Sequence, residues 1–153
     1  MSADELSPDD LVRRLAGQVG LFKVGLELFI RSGPDLIRWI QAEGAAGVFL
    51  DLKLHDIPAT VGRAMEGIAD LDVALTTVHC GESPRMLEAA VKASRGRTGV
   101  LGVTVLTSLG EKDLRDCGVG GSVKNQVKRL ANLARKTPLD GLVCSPQELK
   151  FLG

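Results

Sequence analysis

The stretch Val48-Phe49-Leu50-Asp51-Leu52-Lys53-Leu54-His55-Asp56-Ile57-Pro58-Ala59-Thr60 puts charge at the end of an apolar run. Asp51 and Lys53 are two residues apart, so on an extended strand they share a face. A charged pair emerging from an apolar strand is costly to bury unless the charges meet. Asp56 follows in the next loop. One reading is a solvated strand end with a single salt bridge and an aspartate capping the following helix. The other is a site, because α/β proteins place their chemistry at the carboxyl ends of strands. Lys23, in Gly20-Leu21-Phe22-Lys23-Val24-Gly25, either snorkels to an edge or points into a polar site. With Asp51 and Lys53 on the next strand, the second reading becomes a Lys–Asp–Lys network in which each ammonium would have a carboxylate partner.

Other chemistry-bearing residues read more plainly. His55 and His79 have no partners at metal-ligand spacing and are expected to be structural or solvent-facing. Gly118–Gly121 lacks the residues of a phosphate loop and reads as a turn before a helix capped by Ser122. Arg13-Arg14 and Lys124, Lys128 and Arg129 read as solvated helix faces, and Trp39 as packing. Thr104, Thr107 and Ser108 lie at and beyond a strand end, where they either cap a turn or touch a ligand.

The elements that must position these residues follow from the pattern. Ser7-Pro8, Ser83-Pro84 and Ser145-Pro146 are helix starts, the last with Glu148 completing a capping box. Gly33-Pro34-Asp35 and Asp56-Ile57-Pro58 are weaker starts. Nearly continuous apolar runs at 21–25, 47–52, 73–79, 99–106 and 140–144 predict parallel strands covered on both faces. Helical spacing fills the intervals, as in Val61/Met65/Ile68 and Val127/Leu130/Ala131/Ala134. The order is a helix followed by five strand–helix units, an α/β chain with right-handed crossovers. A common parallel barrel needs eight strands, so five also suit a doubly wound sheet.

The chain has 153 residues, 44% hydrophobic and 25% charged, which predicts one globular domain over 1–153. Its 19 basic and 19 acidic residues cancel, which argues against a general nucleic-acid binder. No apolar run is long enough for a membrane helix, and the polar start MSADELSPDD does not read as a signal peptide. Three scattered cysteines, Cys80, Cys117 and Cys144, support neither a disulfide framework nor a zinc site, so a cytoplasmic location is expected.

FLDLKLHDIPATV resembles the signature of the orotidine 5′-phosphate decarboxylase family. LFKVGLELF, TVHCGE, VTVLTSL and LDGLVCSPQEL resemble further strand-end segments of that family, in the same order. The resemblance implies an incomplete (β/α)8 TIM barrel with about five parallel strands present. It implies decarboxylation of orotidine 5′-monophosphate to UMP with no metal or organic cofactor. Lys23, Asp51, Lys53 and Asp56 would form a catalytic Lys–Asp–Lys–Asp network: Lys53 would donate the proton to C6, Asp51 would lie beside the substrate carboxylate, and Lys23 would hold Asp51 and contact the ribose. Asp56, Ile57 and Thr60 would reach the partner's site in a homodimer, and Thr107 would line the pyrimidine pocket.

The family's first strand, with its ribose-binding aspartate, and its last two strands, with the phosphate grip, have no counterpart here; Asp4 is not assigned the aspartate's role. Weak binding and little turnover are therefore expected of the chain alone, and exposed strand edges are expected to make it unstable or prone to assembly. The alternatives are an inactive truncated product or a non-catalytic partner of a full-length subunit. A related sugar-phosphate decarboxylase or aldolase is a further one, with Ile57-Pro58 and Thr60 against it.

Overall fold

The computed structural model describes residues 7–152; residues 1–6, Asp4 among them, and Gly153 lie outside the described residues. Strands β1 (Phe22–Gly25), β2 (Val48–Leu54), β3 (Leu75–His79), β4 (Gly99–Val103) and β5 (Gly141–Val143) form one parallel sheet. Their spatial order is the sequence order, β1-β2-β3-β4-β5. A doubly wound sheet reverses direction at a switch point, and none occurs here. The sheet is therefore an arc of a singly wound barrel, which removes the doubly wound alternative.

Helices α1 (Pro8–Leu15), α2 (Leu26–Ala42), α3 (Pro58–Asp70) and α4 (Pro84–Ser94) cover one face. Val12, Ile37, Ile40, Val61, Met65, Ile68, Met86, Leu87 and Ala90 pack there on Val24, Val48, Leu50, Val78 and Val100. A second core follows from α5 (Glu111–Asp116), α6 (Val123–Ala134) and α7 (Leu149–Leu152), where Leu114, Val127, Leu130 and Ala134 join Cys80 and Val105.

The serine caps form as the spacing predicts. Ser7, Ser83 and Ser122 each accept a backbone N–H three residues on, all at 3.2 Å. Gly33-Pro34 starts a second helical arm, as its weaker signal predicts, so α2 is two helices joined at a kink. Gly33 has φ 66° and ψ −166°, a conformation only glycine tolerates, and Pro34 removes the N–H that would continue the ladder. At Ser145-Pro146 the helix begins later than expected. Ser145 N–H donates to Glu148 at 2.8 Å, but 146–148 close as a turn and α7 starts at Leu149. Helix α5 was not foreseen; its signal is Asp113, whose carboxylate accepts the Gly110 N–H at 2.7 Å.

Four of the strands are shorter than their apolar stretches, whereas β2 runs on to Leu54, past the end of its run. The run at 99–106 leaves the sheet after Val103 because β5 offers only three residues to pair with. Strand β2 is not covered on both faces: Val48 and Leu50 are buried, whereas Phe49, Asp51 and Lys53 on the other face are half-buried.

Candidate active site

The site grows from a fault in the sheet. Leu50 pairs with Thr76, and the next pairing is Leu54 with Val78, so β2 advances four residues while β3 advances two. Asp51, Leu52 and Lys53 thus lie opposite the single residue Thr77, a surplus of two, and Lys53 adopts φ 52°. A non-glycine residue in this left-handed region costs about 1–3 kcal/mol, which the surroundings must supply. The fault aims the Lys53 side chain back over Asp51, and its Nζ lies 2.8 Å from Asp51 Oδ2.

Strand β1 brings the second cation. Gly25 pairs with Asp51 and Lys23 with Phe49, so Lys23 and Asp51 lie on the same face. Glycine leaves the position beside Asp51 without a side chain, and Lys23 Nζ reaches to 3.7 Å from the same Oδ2. The Lys23 side chain is 59% exposed, that of Lys53 36% and that of Asp51 13%. The carboxylate is thus the sequestered member, held between two more accessible ammonium groups. Burial pushes the Asp51 carboxyl up. Hydrogen bonds from Lys53 and Thr77, with the charges of Lys53 and Lys23, outweigh that and hold it below its ordinary value of 3.8. The Lys–Asp–Lys network is formed, and an open cleft of about 580 Å³ runs over it, lined by Lys23, Gly25, Leu26, Arg31, Asp51 and Lys53.

The remaining expected residues sit farther out. Asp56 is exposed, pairs with no cation among the described residues, and accepts the Ile57 N–H at 2.6 Å. Ile57 is 62% exposed, and Thr60 lies in the first turn of α3. Thr107 and Ser108 are exposed in the turn after β4. Thr104 is buried and donates to the Val143 carbonyl at 3.2 Å, so it caps the β4–β5 ladder.

Sequence reasoning missed two features. Thr77 donates to Asp51 Oδ1 at 2.8 Å and accepts the Lys53 N–H at 2.9 Å. Its only sequence signal is a hydroxyl in an apolar strand. His55 and His79 meet with ring centroids 5.3 Å apart. Burial, then the nearness of His55 and Lys53, lowers the His79 pKa from 6.5. Two of the thiols do not suit nucleophilic work: burial raises Cys80 to about 11, and burial with Glu148 raises Cys144. The basic residues read as solvated partly find partners. Arg13 pairs with Glu43 at 3.7 Å and lies 5.9 Å from the Trp39 ring centre, while Lys124 and Lys128 stand over Phe151.

Comparison with known proteins bears on the family and the fold. The model of the "Orotidine 5'-phosphate decarboxylase / HUMPS family" matches residues 2–152. An orotidine 5'-phosphate decarboxylase of Desulfosudis oleivorans is 48% identical over 148 residues, covering 94% of this chain and 59% of that protein. The chain thus spans about three fifths of such relatives. Among solved structures, an uncharacterized conserved protein from Geobacillus kaustophilus superposes with a TM-score of 0.87 at 38% identity, covering 94% of this chain and 70% of that one. Orotidine 5'-phosphate decarboxylase from Lactobacillus acidophilus superposes with a TM-score of 0.79 at 37% identity, covering 85% and 61%. No helix among the described residues is long and apolar enough to cross a membrane. A match over nearly the whole sequence, on a sheet that is an arc of a barrel, shows that the chain belongs to the orotidine 5'-phosphate decarboxylase / HUMPS family.

Proposed function

We propose that this chain carries the reaction centre of an orotidine 5′-monophosphate decarboxylase acting in de novo pyrimidine biosynthesis in the cytoplasm. Its 153 residues are part of one (β/α)8 domain. The observation that carries the proposal is the Asp51 carboxylate bound by the ammonium groups of Lys53 and Lys23 at the carboxyl end of β2.

The substrate carboxylate leaves C6 as CO2, and the bonding electron pair stays on C6 in an orbital the ring does not delocalise. The Lys53 ammonium stabilises that pair and gives it a proton, forming the C6–H of UMP. Lys53 then recovers a proton from water. Lysine suits the task as a compact cation with transferable protons. Asp51 keeps it charged and aimed, and lies beside the substrate carboxylate; Lys23 holds Asp51 from the other side and contacts the ribose. Thr107 lines the pyrimidine pocket.

Asp56, Ile57 and Thr60 serve the site of a second copy in a homodimer. The exposure of Ile57 and the lack of a cation partner for Asp56 among the described residues support this reading.

The test is release of CO2 from carboxyl-labelled orotidine 5′-monophosphate. Turnover that disappears in Lys53→Ala supports the proposal, and an unchanged rate refutes the assigned proton donor. A second reading is a chain that folds around the same cluster without turning substrate over. It draws on the edges of β1 and β5, which are unpaired among the described residues. A thermal shift with UMP but no CO2 release would favour it.

A further inference from the structure

The fault between β2 and β3 brings Asp51 and Lys53 together, and one hydroxyl spans it. Thr77 lies on β3 between the two surviving pairing positions, Thr76 and Val78, opposite the surplus residues of β2. It is fully buried. Its hydroxyl uses both of its capacities: it donates to Asp51 Oδ1 at 2.8 Å and accepts from the Lys53 N–H at 2.9 Å. The two bonds depend on each other. With its single proton committed to the carboxylate, the oxygen turns a lone pair toward the amide.

Each bond has a distinct consequence. The amide bond replaces a ladder partner that the fault removes, and so helps to hold the left-handed backbone of Lys53. The carboxylate bond engages Oδ1, which leaves Oδ2 to both ammonium groups. A carboxylate free to rotate would exchange its two oxygens and shift the Lys53 ammonium with them.

We propose that Thr77 is a positioning residue for the reaction: its hydroxyl ties the backbone of Lys53 to the side chain of Asp51, and thereby aims the ammonium that protonates the substrate carbon. This rests on the decarboxylase reading above. Thr77 bonds the Asp51 carboxylate and the Lys53 backbone, not the Lys53 ammonium, and acts through the two residues it binds.

The experiment compares the full chain with Thr77→Val, which keeps the shape and removes the hydroxyl, and Thr77→Ser, which restores it. Thr77→Val is expected to lower kcat about 10- to 100-fold, the scale of a small misplacement of a reacting group. KM is expected to change much less, and Thr77→Ser to recover most of the loss. Carboxyl NMR should show Asp51 titrating at higher pH in Thr77→Val than in the unsubstituted chain, and returning in Thr77→Ser. An unchanged Asp51 titration, or a kcat in Thr77→Val equal to that of the unsubstituted chain, overturns the inference.

If the unsubstituted chain releases no CO2, the decarboxylase reading fails, while the Asp51 titration still decides whether Thr77 positions the pair. If Thr77→Val does not fold, hydroxyl exchange in the unsubstituted chain decides instead. A Thr77 hydroxyl proton protected from solvent and correlated with Asp51 supports the inference, and one in fast exchange overturns it.

Discussion

Strand β3 has two long neighbours, and it pairs with them in different ways. On the β4 side all five residues are in register, from Leu75 opposite Gly99 to His79 opposite Val103. On the β2 side the register breaks after Leu50, and the surplus residues carry Asp51 and Lys53. The regular ladder is closed by packing. A Cβ built on Gly102 would lie 2.6 Å from Cys80 Sγ and 2.9 Å from Leu139 Cδ1, so there is no room for a side chain, let alone a ligand. The broken ladder is closed by polar groups and opens onto the cleft. The fold thus puts tight packing where the chain needs stability, and backbone strain with buried charge where it offers chemistry.

The sharpest way to break this contrast is to remove the amine at the fault. Lys53→Ala should lower decarboxylation about 10²- to 10⁴-fold, the usual worth of a positioned proton donor, and steady-state kinetics will show it. On the regular side, Gly102→Ala should leave the charged cluster in place but cost about 1–3 kcal/mol of stability through overpacking, measurable by urea unfolding.

A smaller effect sharpens the comparison. At the fault, Lys53→Gly should be more stable than Lys53→Ala by about 1 kcal/mol, because glycine accepts the left-handed conformation freely. In the regular ladder the sign should reverse: Leu101→Gly should be less stable than Leu101→Ala by about 0.5–1 kcal/mol. Equal signs at both positions would mean that the fault carries no backbone strain.

The smallest effects are in pH dependence. The folded state lowers the His79 pKa, so its contribution to stability is complete above 6.5 and diminishes as the pH falls below that. Asp51 is also lowered, so its contribution is complete above 3.8 and is lost as the pH falls through its folded value. Unfolding in His79→Gln should lose the first of these slopes and keep the second.

Much of the fold was legible because it rests on local rules. Serine caps, the strand–helix alternation and the shared face of Asp51 and Lys53 all follow from short-range geometry. The helix start at Gly33-Pro34 was legible for the same reason, since a left-handed glycine and a proline end one helical arm and open the next. Helix α5 was not legible, since its six residues are too few to show a period. At the site, Lys23 could be paired with Asp51 only because adjacent parallel strands were assumed. Thr77 and the His55–His79 contact depend on how β3 registers against β2 across the fault, and no spacing within a single segment carries that information.

That Lys53 supplies the proton is tested by decarboxylation of orotidine 5′-monophosphate in deuterated water by the unsubstituted chain and by Lys53→Ala. UMP carrying deuterium at C6 is expected from the unsubstituted chain, and a rate lower by orders of magnitude from the variant. Equal rates from the two would contradict that assignment, because the proton would then come from a group other than Lys53.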